Sequence, residues 1–382
     1  MTTRLPAQFD ATRASPAPRI LRCDTLRRLD EIPTDVAELF VQAEQADPQY
    51  GLGWFRNLTE TVFAADAGVC LHVLRVNNHP VAALPLHVRA TARGYEARAL
   101  GNFYTCLYAP ALHEDLAAHE LAALMADVKR VHAPLASISL TPLDSKAPSS
   151  ALMLQALRLA RLHTYSHEAF GNWFLPVTGS CADYLADRPG ELRNTLKRMG
   201  KKFAAAGGRF EIADQPDQVA PAMAAYSAVY SSSWKKPEPF ERFMPGLAQL
   251  CAAKGWLRVG LAWLGDRPIA AQFWIVAGAK AHIYKLAYDA EFRQFSPGSL
   301  LTAQLMQRVI DGDGVHEVDY LKGDDAYKNQ WMTHRRERLA LLAFNPRTAG
   351  GLLGMAREST GRALMALKLR KRPDSVSASL AD

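Results

Sequence analysis

Between Ile20 and Phe40 the apolar positions follow helical spacing, clearest in TDVAELFVQAEQ, with Thr34 as the expected N-cap. The stretch Asp47–Ala64 carries Trp54, Phe55, Leu58, Val62 and Phe63, the i, i+4 recurrence of a helix that packs one face. The pattern then changes period. Cys70–Val76 and Val81–Val88 are apolar runs of strand length, separated by Asn77-Asn78, a pair that tolerates the left-handed turn of a hairpin. A strand at Glu96–Leu100, a helix at Asp115–His132, a strand at Leu135–Leu140, a helix at Ser150–Leu162 and a strand at Trp173–Val177 complete the first half.

The second half repeats that order. Helices are expected at Cys181–Ala186, Gly190–Ala206, Pro221–Ser233 and Phe240–Lys254. Strands follow at Trp256–Leu264, Ile269–Ala277 and Lys280–Tyr288, then a helix from Ser299 and a strand at Glu317–Leu321. A short helix near Ala326–His334 and a strand at Arg338–Phe344 close the pattern. LHVLRVNNHPVAALPLHV (Leu71–Val88) parallels LRVGLAWLGDRPIAAQFWIV (Leu257–Val276), and both hairpins lead to a third strand, a helix, a fourth strand and another helix. The shared order predicts duplication: two similar α/β domains with mixed sheets, meeting near Phe170–Val177.

Composition narrows the class. A chain of 382 residues with 49% hydrophobic residues is globular and long enough for two domains or three. No apolar run reaches the roughly 18 residues of a membrane span. The opening MTTRLPAQFDATRASPAPRI has no continuous apolar segment, so no signal peptide is expected, and its composition predicts a disordered lead over residues 1–20. Five scattered cysteines without a CxxC point to reduced thiols in a cytoplasm. The histidines lack ligand spacing, so no metal is expected. A net charge of +7 suits phosphate-bearing ligands or an anionic surface.

Candidate chemistry gathers in Lys285–Trp331. A strand there meets Ser296-Pro297-Gly298 and runs into a helix, an arrangement whose unpaired N–H groups can cradle an anion. A second strand ends in Lys322-Gly323-Asp324-Asp325, followed by Tyr327-Lys328. Asp324 and Asp289 are candidate bases for an amine, although aspartates in such turns also cap backbone N–H groups. Arg193, Lys197 and Lys201 recur at i, i+4, i+8 and line one helical face, either solvated or contacting a nucleotide, a tRNA backbone or a lipid headgroup. Trp234 and Gln272 are further candidates for the acceptor side. The basic tail, residues 347–382, has helical apolar spacing that suits an anionic membrane, a partner, or the protein's own surface.

The combined pattern, hairpin, strand, RQFSPGSLL, helix, VDYLKGDDAYKNQW, resembles the acyltransferases of the GNAT superfamily, and more closely the CelD-like branch whose tandem domains are similar to Fem-type peptidyltransferases. The close match covers about Asp183–Phe344. The resemblance implies two tandem GNAT-like domains, each a mixed, largely antiparallel sheet flanked by helices: a degenerate one over residues 21–172 and a catalytic one over 173–346. It implies donor contacts at Arg293, Gln294, Ser296, Gly298 and Ser299, with a splayed strand Lys285–Tyr288 offering N–H groups to the reacting carbonyl. Ser296-Pro297 stands where a second glycine is usual, which leaves the donor open among acyl-CoA, acyl carrier protein and aminoacyl-tRNA. Tyr327 matches the residue that protonates a departing thiolate, and Lys328 the Fem-type lysine that offsets developing charge.

The implied activity is N-acyl transfer from acyl-CoA, a co-substrate and not a resident cofactor, to an amine of a sugar, lipid or envelope precursor. The alternatives are aminoacyl transfer from tRNA to a peptide, and a scaffold without catalysis. DNA is not an expected partner. The expected location is the cytoplasm, with peripheral membrane contact through the C-terminal helix.

Overall fold

The computed structural model describes residues 19–64 and 66–370, with side chains through residue 364. Most of the expected N-terminal lead, residues 1–18, and the end of the basic tail, 371–382, lie outside the described residues. The first half runs β1 (Leu21–Leu26), α1 (Thr34–Ala46), α2 (Leu52–Thr61), β2 (Val69–Val76), β3 (His79–Thr91), β4 (Gly94–Ala99) and β5 (Ala111–Leu112). It continues with α3 (Ala118–Val131), β6 (Leu135–Asp144), α4 (Pro148–Leu159) and β7 (His163–Pro176). Two helices, α5 (Cys181–Ala186) and α6 (Gly190–Ala205), lead into the second half. That half comprises β8 (Gly208–Ala213), α7 (Val219–Ser231), α8 (Phe243–Ala253), β9 (Leu257–Leu264), β10 (Arg267–Ala277) and β11 (Lys280–Tyr288). Helix α9 (Pro297–Gln307), β12 (Glu317–Asp319), β13 (His334–Phe344) and α10 (Ala349–Arg370) finish the chain's described part.

Each half is a strand, two helices, three antiparallel strands, a helix and a parallel strand. The order β1-α1-α2-β2-β3-β4-α3-β6 is matched by β8-α7-α8-β9-β10-β11-α9-β12. The pairing repeats as well: β4 runs parallel to β6, and β11 runs parallel to β12. The duplicated unit is therefore longer than the two hairpins. It begins at β1 and β8, two strands that the hydrophobic pattern did not single out.

The halves join by exchanging their last strands. The sheet order is β1-β2-β3-β4-β6-β13-β7-β12-β11-β10-β9-β8. β13, from the second half, pairs with β6 of the first, and β7, from the first half, pairs with β12 of the second. β7 and β13 then pair with each other from His163↔Phe344 to Phe174↔His334. Residues 172 and 173 sit inside β7, so the backbone ladder runs unbroken from one half to the other, leaving no open edge at the middle. One apolar core also spans both halves. Trp54 of α2 meets Phe243 of α8 and Tyr284 of β11 edge-on, at 5.7 and 5.9 Å, and Phe243 stacks on Tyr104 at 4.0 Å.

Several expected boundaries shift for local reasons. Leu21–Leu26 is a strand and not the start of a helix, because it pairs along β2 from Leu21↔Val76 to Leu26↔Leu71. Pro33 takes the N-cap position of α1, and Thr34 is its first helical residue. β8 is an edge strand that begins after Gly207, whose φ of 78° reverses the chain. α9 starts at Pro297, whose fixed φ and missing N–H suit the first helical position. β12 stops at Asp319 because Leu321 adopts φ 52°.

Helix α10 docks on the chain's own sheet. Gly351 lies against the Asn345 carbonyl and Gly354 against the Phe344 ring, where a Cβ would fall within 1.9 and 2.4 Å. Tyr165 of β7 contacts Ser359 Oγ at 2.8 Å, and Arg362 donates to the Ser166 carbonyl at 3.1 Å. Among the described residues, no helix is long and apolar enough to cross a membrane.

Candidate active site

The site begins where two neighbouring strands part. β11 and β12 pair only over Lys280↔Glu317, Ala281↔Val318 and His282↔Asp319. Beyond that point β11 continues to Tyr288 while the other chain turns away through Leu321, in the left-handed region that a branched aliphatic residue rarely adopts. The turn is held by Asp319, whose Oδ1 accepts from the Leu321 N–H at 2.6 Å. β11 also bulges. Phe273 pairs with Lys285 and Trp274 with Ile283, so Tyr284 is skipped by the β10 ladder. A bulge at the mouth of a splay leaves strand amides free to face a ligand.

A pocket of about 220 Å³ fills the splay. Its walls are Ile283–Leu286 of β11, Tyr320–Lys322, Tyr327 and Lys328 of the next turn, and Lys235 from the α7–α8 loop. Phe103, Tyr104 and Cys106 reach in from the first half. Four lysines, Lys235, Lys285, Lys322 and Lys328, line this space. Asp325, which also lines the pocket and pairs with Lys328 at 3.5 Å, and Glu238 partly offset them: Glu238 accepts from Lys285 Nζ at 2.9 Å and from Tyr104 Oη at 2.5 Å. Burial raises the Glu238 carboxyl, but the bonds from Tyr104 and Lys285 outweigh it and hold the group below the usual carboxylate range. Burial, with the charge of Lys285 beside it, pushes the Lys235 ammonium down to about 8. The Tyr327 phenol is pushed up to about 12 by burial and by Asp325.

A second feature lies along the same strand. From Lys285 to Tyr288 is three residues, or about 10 Å of extended chain. There Tyr288 packs against Trp234, with ring centres 4.7 Å apart, and against Gly298, where a Cβ would lie 3.3 Å from Tyr288 Cδ1. Ser296, at φ 49°, turns the chain out of a 3-10 segment, Ala290–Phe295, directly into α9. Among the described residues, the Gly298 and Ser299 amides have no backbone acceptor at this helix start. Arg293 and Gln294 are exposed beside it, and Lys202 of α6 reaches the Gln294 carbonyl at 3.4 Å. The helix dipole and these cations make the end of α9 attractive to phosphate.

Residues 190–329 match a family model described as an acetyltransferase (GNAT) domain, Acetyltransf_6. Among solved structures, FemX is similar over 83% of this chain and 96% of its own, with a TM-score of 0.55 and 11% identity. A conserved protein of unknown function from Bacteroides thetaiotaomicron VPI-5482 is similar over 81% and 92%, with a TM-score of 0.52 and 9% identity. The fold is GNAT-like and similar to that of FemX. A tandem GNAT protein of the clavulanic acid biosynthesis pathway is a looser likeness, at a TM-score of 0.48 and 14% identity over 86% of this chain and 99% of its own. No curated protein matches the chain by sequence.

Within this GNAT-like frame, the expected residues separate into three groups. Lys285, Tyr327 and Lys328 converge on the splay pocket. Arg293, Gln294, Ser296, Gly298, Ser299 and Tyr288 gather at the start of α9. Trp234 is exposed and links the two through Tyr288. Arg193 and Lys197 stay on the exposed side of α6, while Leu192 and Phe203 face the core.

Four of the candidates are held in hydrogen bonds and ion pairs of the fold itself. Gln272 is fully buried: its Nε2 donates to the Gly298 carbonyl at 2.9 Å and to Thr302 Oγ1 at 2.8 Å, while its Oε1 accepts from Trp274. It anchors α9 to the sheet and does not face an acceptor. Asp289 caps the 3-10 segment through the Glu291 N–H and pairs with Arg267 at 2.7 Å. Asp324 accepts from Trp173 Nε1 at 2.7 Å and Arg335 Nε at 3.0 Å, and the Arg335 bond holds it below the usual carboxylate range. Both carboxylates are occupied, and neither lines the pocket. Lys328 lines it, but its ammonium donates to the Lys322 and Gly323 carbonyls at 2.6 and 3.3 Å and pairs with Asp325 at 3.5 Å. It braces the turn that shapes the pocket.

Sequence reading missed Lys235, Glu238 and Tyr104. The signal for Lys235 was its place next to Trp234 in a polar, proline-containing loop, SSSWKKPEPF. Nothing local marks Tyr104, which arrives through the contact between halves.

Proposed function

We propose that the second half transfers an acyl group from a thioester donor to an amine held in the splay pocket. The observation that carries this is the end of β11–β12 pairing at His282–Asp319, which opens a lysine-lined pocket beside Tyr327 and about 10 Å along β11 from the start of α9. A donor with phosphates at α9 and an extended arm, as in acyl-CoA, reaches the bulge at Tyr284 along that strand. The neutral amine attacks the carbonyl carbon, and strand N–H groups at the bulge stabilise the oxyanion. Lys235, with a pKa of about 8, takes the proton from the amine nitrogen. As the C–S bond breaks, Tyr327 gives its proton to the thiolate. The products are an amide and a free thiol.

The four lysines favour an amine carried on an anionic molecule, such as a phosphorylated sugar, an acidic lipid or an envelope precursor. We place the reaction in the cytoplasm, where thioester donors are made. Membrane contact through α10 is confined to its outward side, where Leu352 and Leu364 are exposed.

The donor site is tested by thermal stabilisation with acyl-CoA. At a hundredfold excess over Kd the ligand adds about 2.7 kcal/mol to wild-type stability. Gly298→Trp drives a large side chain toward Tyr288 and into the cradle, and should abolish that gain while the protein stays folded. A Gly298→Trp variant stabilised as strongly as the wild type sinks the assignment. A second measurement checks the base. With saturating donor and acceptor, kcat should rise through about pH 8 as Lys235 loses its proton, and Lys235→Met should remove that inflection.

A second reading, aminoacyl transfer from tRNA, draws on the exposed Arg193 and Lys197 of α6, which runs beside α9. It requires salt-sensitive tRNA binding that both residues support.

A further inference from the structure

A buried cluster in the first half, distant in sequence from the proposed reaction site, has the geometry of a metal centre. Cys70 and His72 alternate along β2 and so share one face, and His132 caps the C-terminus of α3 above them. Cys70 and His72 are fully buried, and His132 is 6% exposed. Their ligand atoms form a triangle: His72 Nε2 to His132 Nε2 is 3.0 Å, Cys70 Sγ to His72 Nε2 is 3.5 Å, and Cys70 Sγ to His132 Nε2 is 3.9 Å. A tetrahedral zinc with bonds of about 2.0–2.1 Å to nitrogen and about 2.3 Å to sulfur has edges of about 3.3 Å between nitrogens and about 3.6 Å between nitrogen and sulfur. The triangle is close to one face of that tetrahedron. We propose that Cys70, His72 and His132 bind a single zinc ion that fastens α3 to the β1–β2 edge of the sheet.

The surroundings fit a metal. His72 Nδ1 lies 3.1 Å from Thr25 Oγ1, its partner across β1, so an N–H there leaves the Nε2 lone pair directed at the centre. Burial favours the neutral imidazole at both histidines. Asp127, five residues before His132 near the end of α3, has its Oδ1 taken by Arg130 and stands outside the group of three, so Cys70, His72 and His132 alone define the centre and the fourth position is left to solvent. Arg27 is the opposing feature, because its charge acts on all three residues. The Cys70 thiolate offsets part of a dication's charge beside it. Binding replaces the thiol proton: Cys70–SH and Zn²⁺ give the zinc thiolate and one released H⁺.

The test uses untagged full-length protein purified without chelator. Elemental analysis should find one zinc per chain. Replacement by Co²⁺ should give a thiolate-to-cobalt charge-transfer band together with tetrahedral visible bands. Cys70→Ser should remove the charge-transfer band, and His132→Gln should reduce zinc to background after dialysis. Folded wild-type protein that neither contains zinc nor binds it on titration overturns the proposal and leaves a hydrogen-bonded histidine pair. A cobalt complex without the thiolate band also overturns it, and that result needs no variant to fold.

Discussion

Tyr327→Phe should lower kcat for thioester aminolysis by about 10²–10⁴-fold while leaving the donor KM near the wild-type value. The ring packs edge-on to Tyr320 at 5.7 Å, and phenylalanine keeps that contact, so only the O–H is lost. With its pKa pushed up to about 12, the phenol remains protonated across the working range and is ready to donate when the thiolate leaves. The size of the defect should depend on the leaving group. An alkyl thioester needs the proton most, and an aryl thioester with an acidic thiol needs it least. The variant should therefore recover most of its lost rate with the aryl donor. A defect of the same size for both donors would mean that the hydroxyl acts otherwise than by protonating the leaving thiolate, and no defect at all would remove it from the mechanism.

Much of the fold was readable because it is written locally. The hairpins at Asn77-Asn78 and Gly265-Asp266, the helix after Ser296-Pro297-Gly298 and the repeated order of elements all leave short-range signals. The exchange of β7 and β13 leaves none. Which strand lies beside β6 is decided by side chains that reach over β7, such as the half-buried Arg336 and the buried Arg338, and strand alternation alone cannot rank such partners. The same limit governed the site. Tyr327 and Lys328 stand out in the sequence because they follow the fourth strand of their half directly. Glu238 meets Lys285 across 47 residues of its own half, and Tyr104 joins them only after the halves dock, separations no sequence window spans. Cys70-Leu71-His72 has the spacing that puts two ligands on one strand face, but His132 is brought in by the packing of α3. In VDYLKGDD, Asp324 lies in the turn and is tied to Trp173 and Arg335. The aspartate that matters more to the site's shape is Asp319, the last residue of the buried strand.

Asp319→Ala should destabilise the protein by about 3–5 kcal/mol, because it removes the fully buried carboxylate that Arg336 and Arg338 share and leaves the Asn172 and Leu321 donors without their acceptor. Asp319 is 1% exposed. Its Oδ1 accepts from Asn172 Nδ2 and the Leu321 N–H, both at 2.6 Å, and its Oδ2 pairs with Arg336 and, at 3.3 Å, with Arg338. Arg336 continues to Glu317 and Arg338 to Asp144, so one network ties β12, β7, β13 and β6 together across the exchanged strands. The loss has a pH signature. Burial raises the Asp319 carboxyl, but Arg336, His282 and Arg338 outweigh it and leave the group below its ordinary 3.8. The unfolded chain therefore binds this proton more readily than the folded one. The stabilisation is fully present above the unfolded value and is lost as pH falls below about 4 toward the folded one. Chemical denaturation should show wild-type stability dropping through that acid range, with a shallower drop in Asp319→Ala. The variant should also weaken donor and acceptor binding near neutral pH, since the Leu321 turn that opens the splay loses its acceptor. Equal acid slopes for the two proteins would mean that the network does not carry this charge, and an unaltered pocket would mean that backbone pairing alone holds β11 and β12 apart.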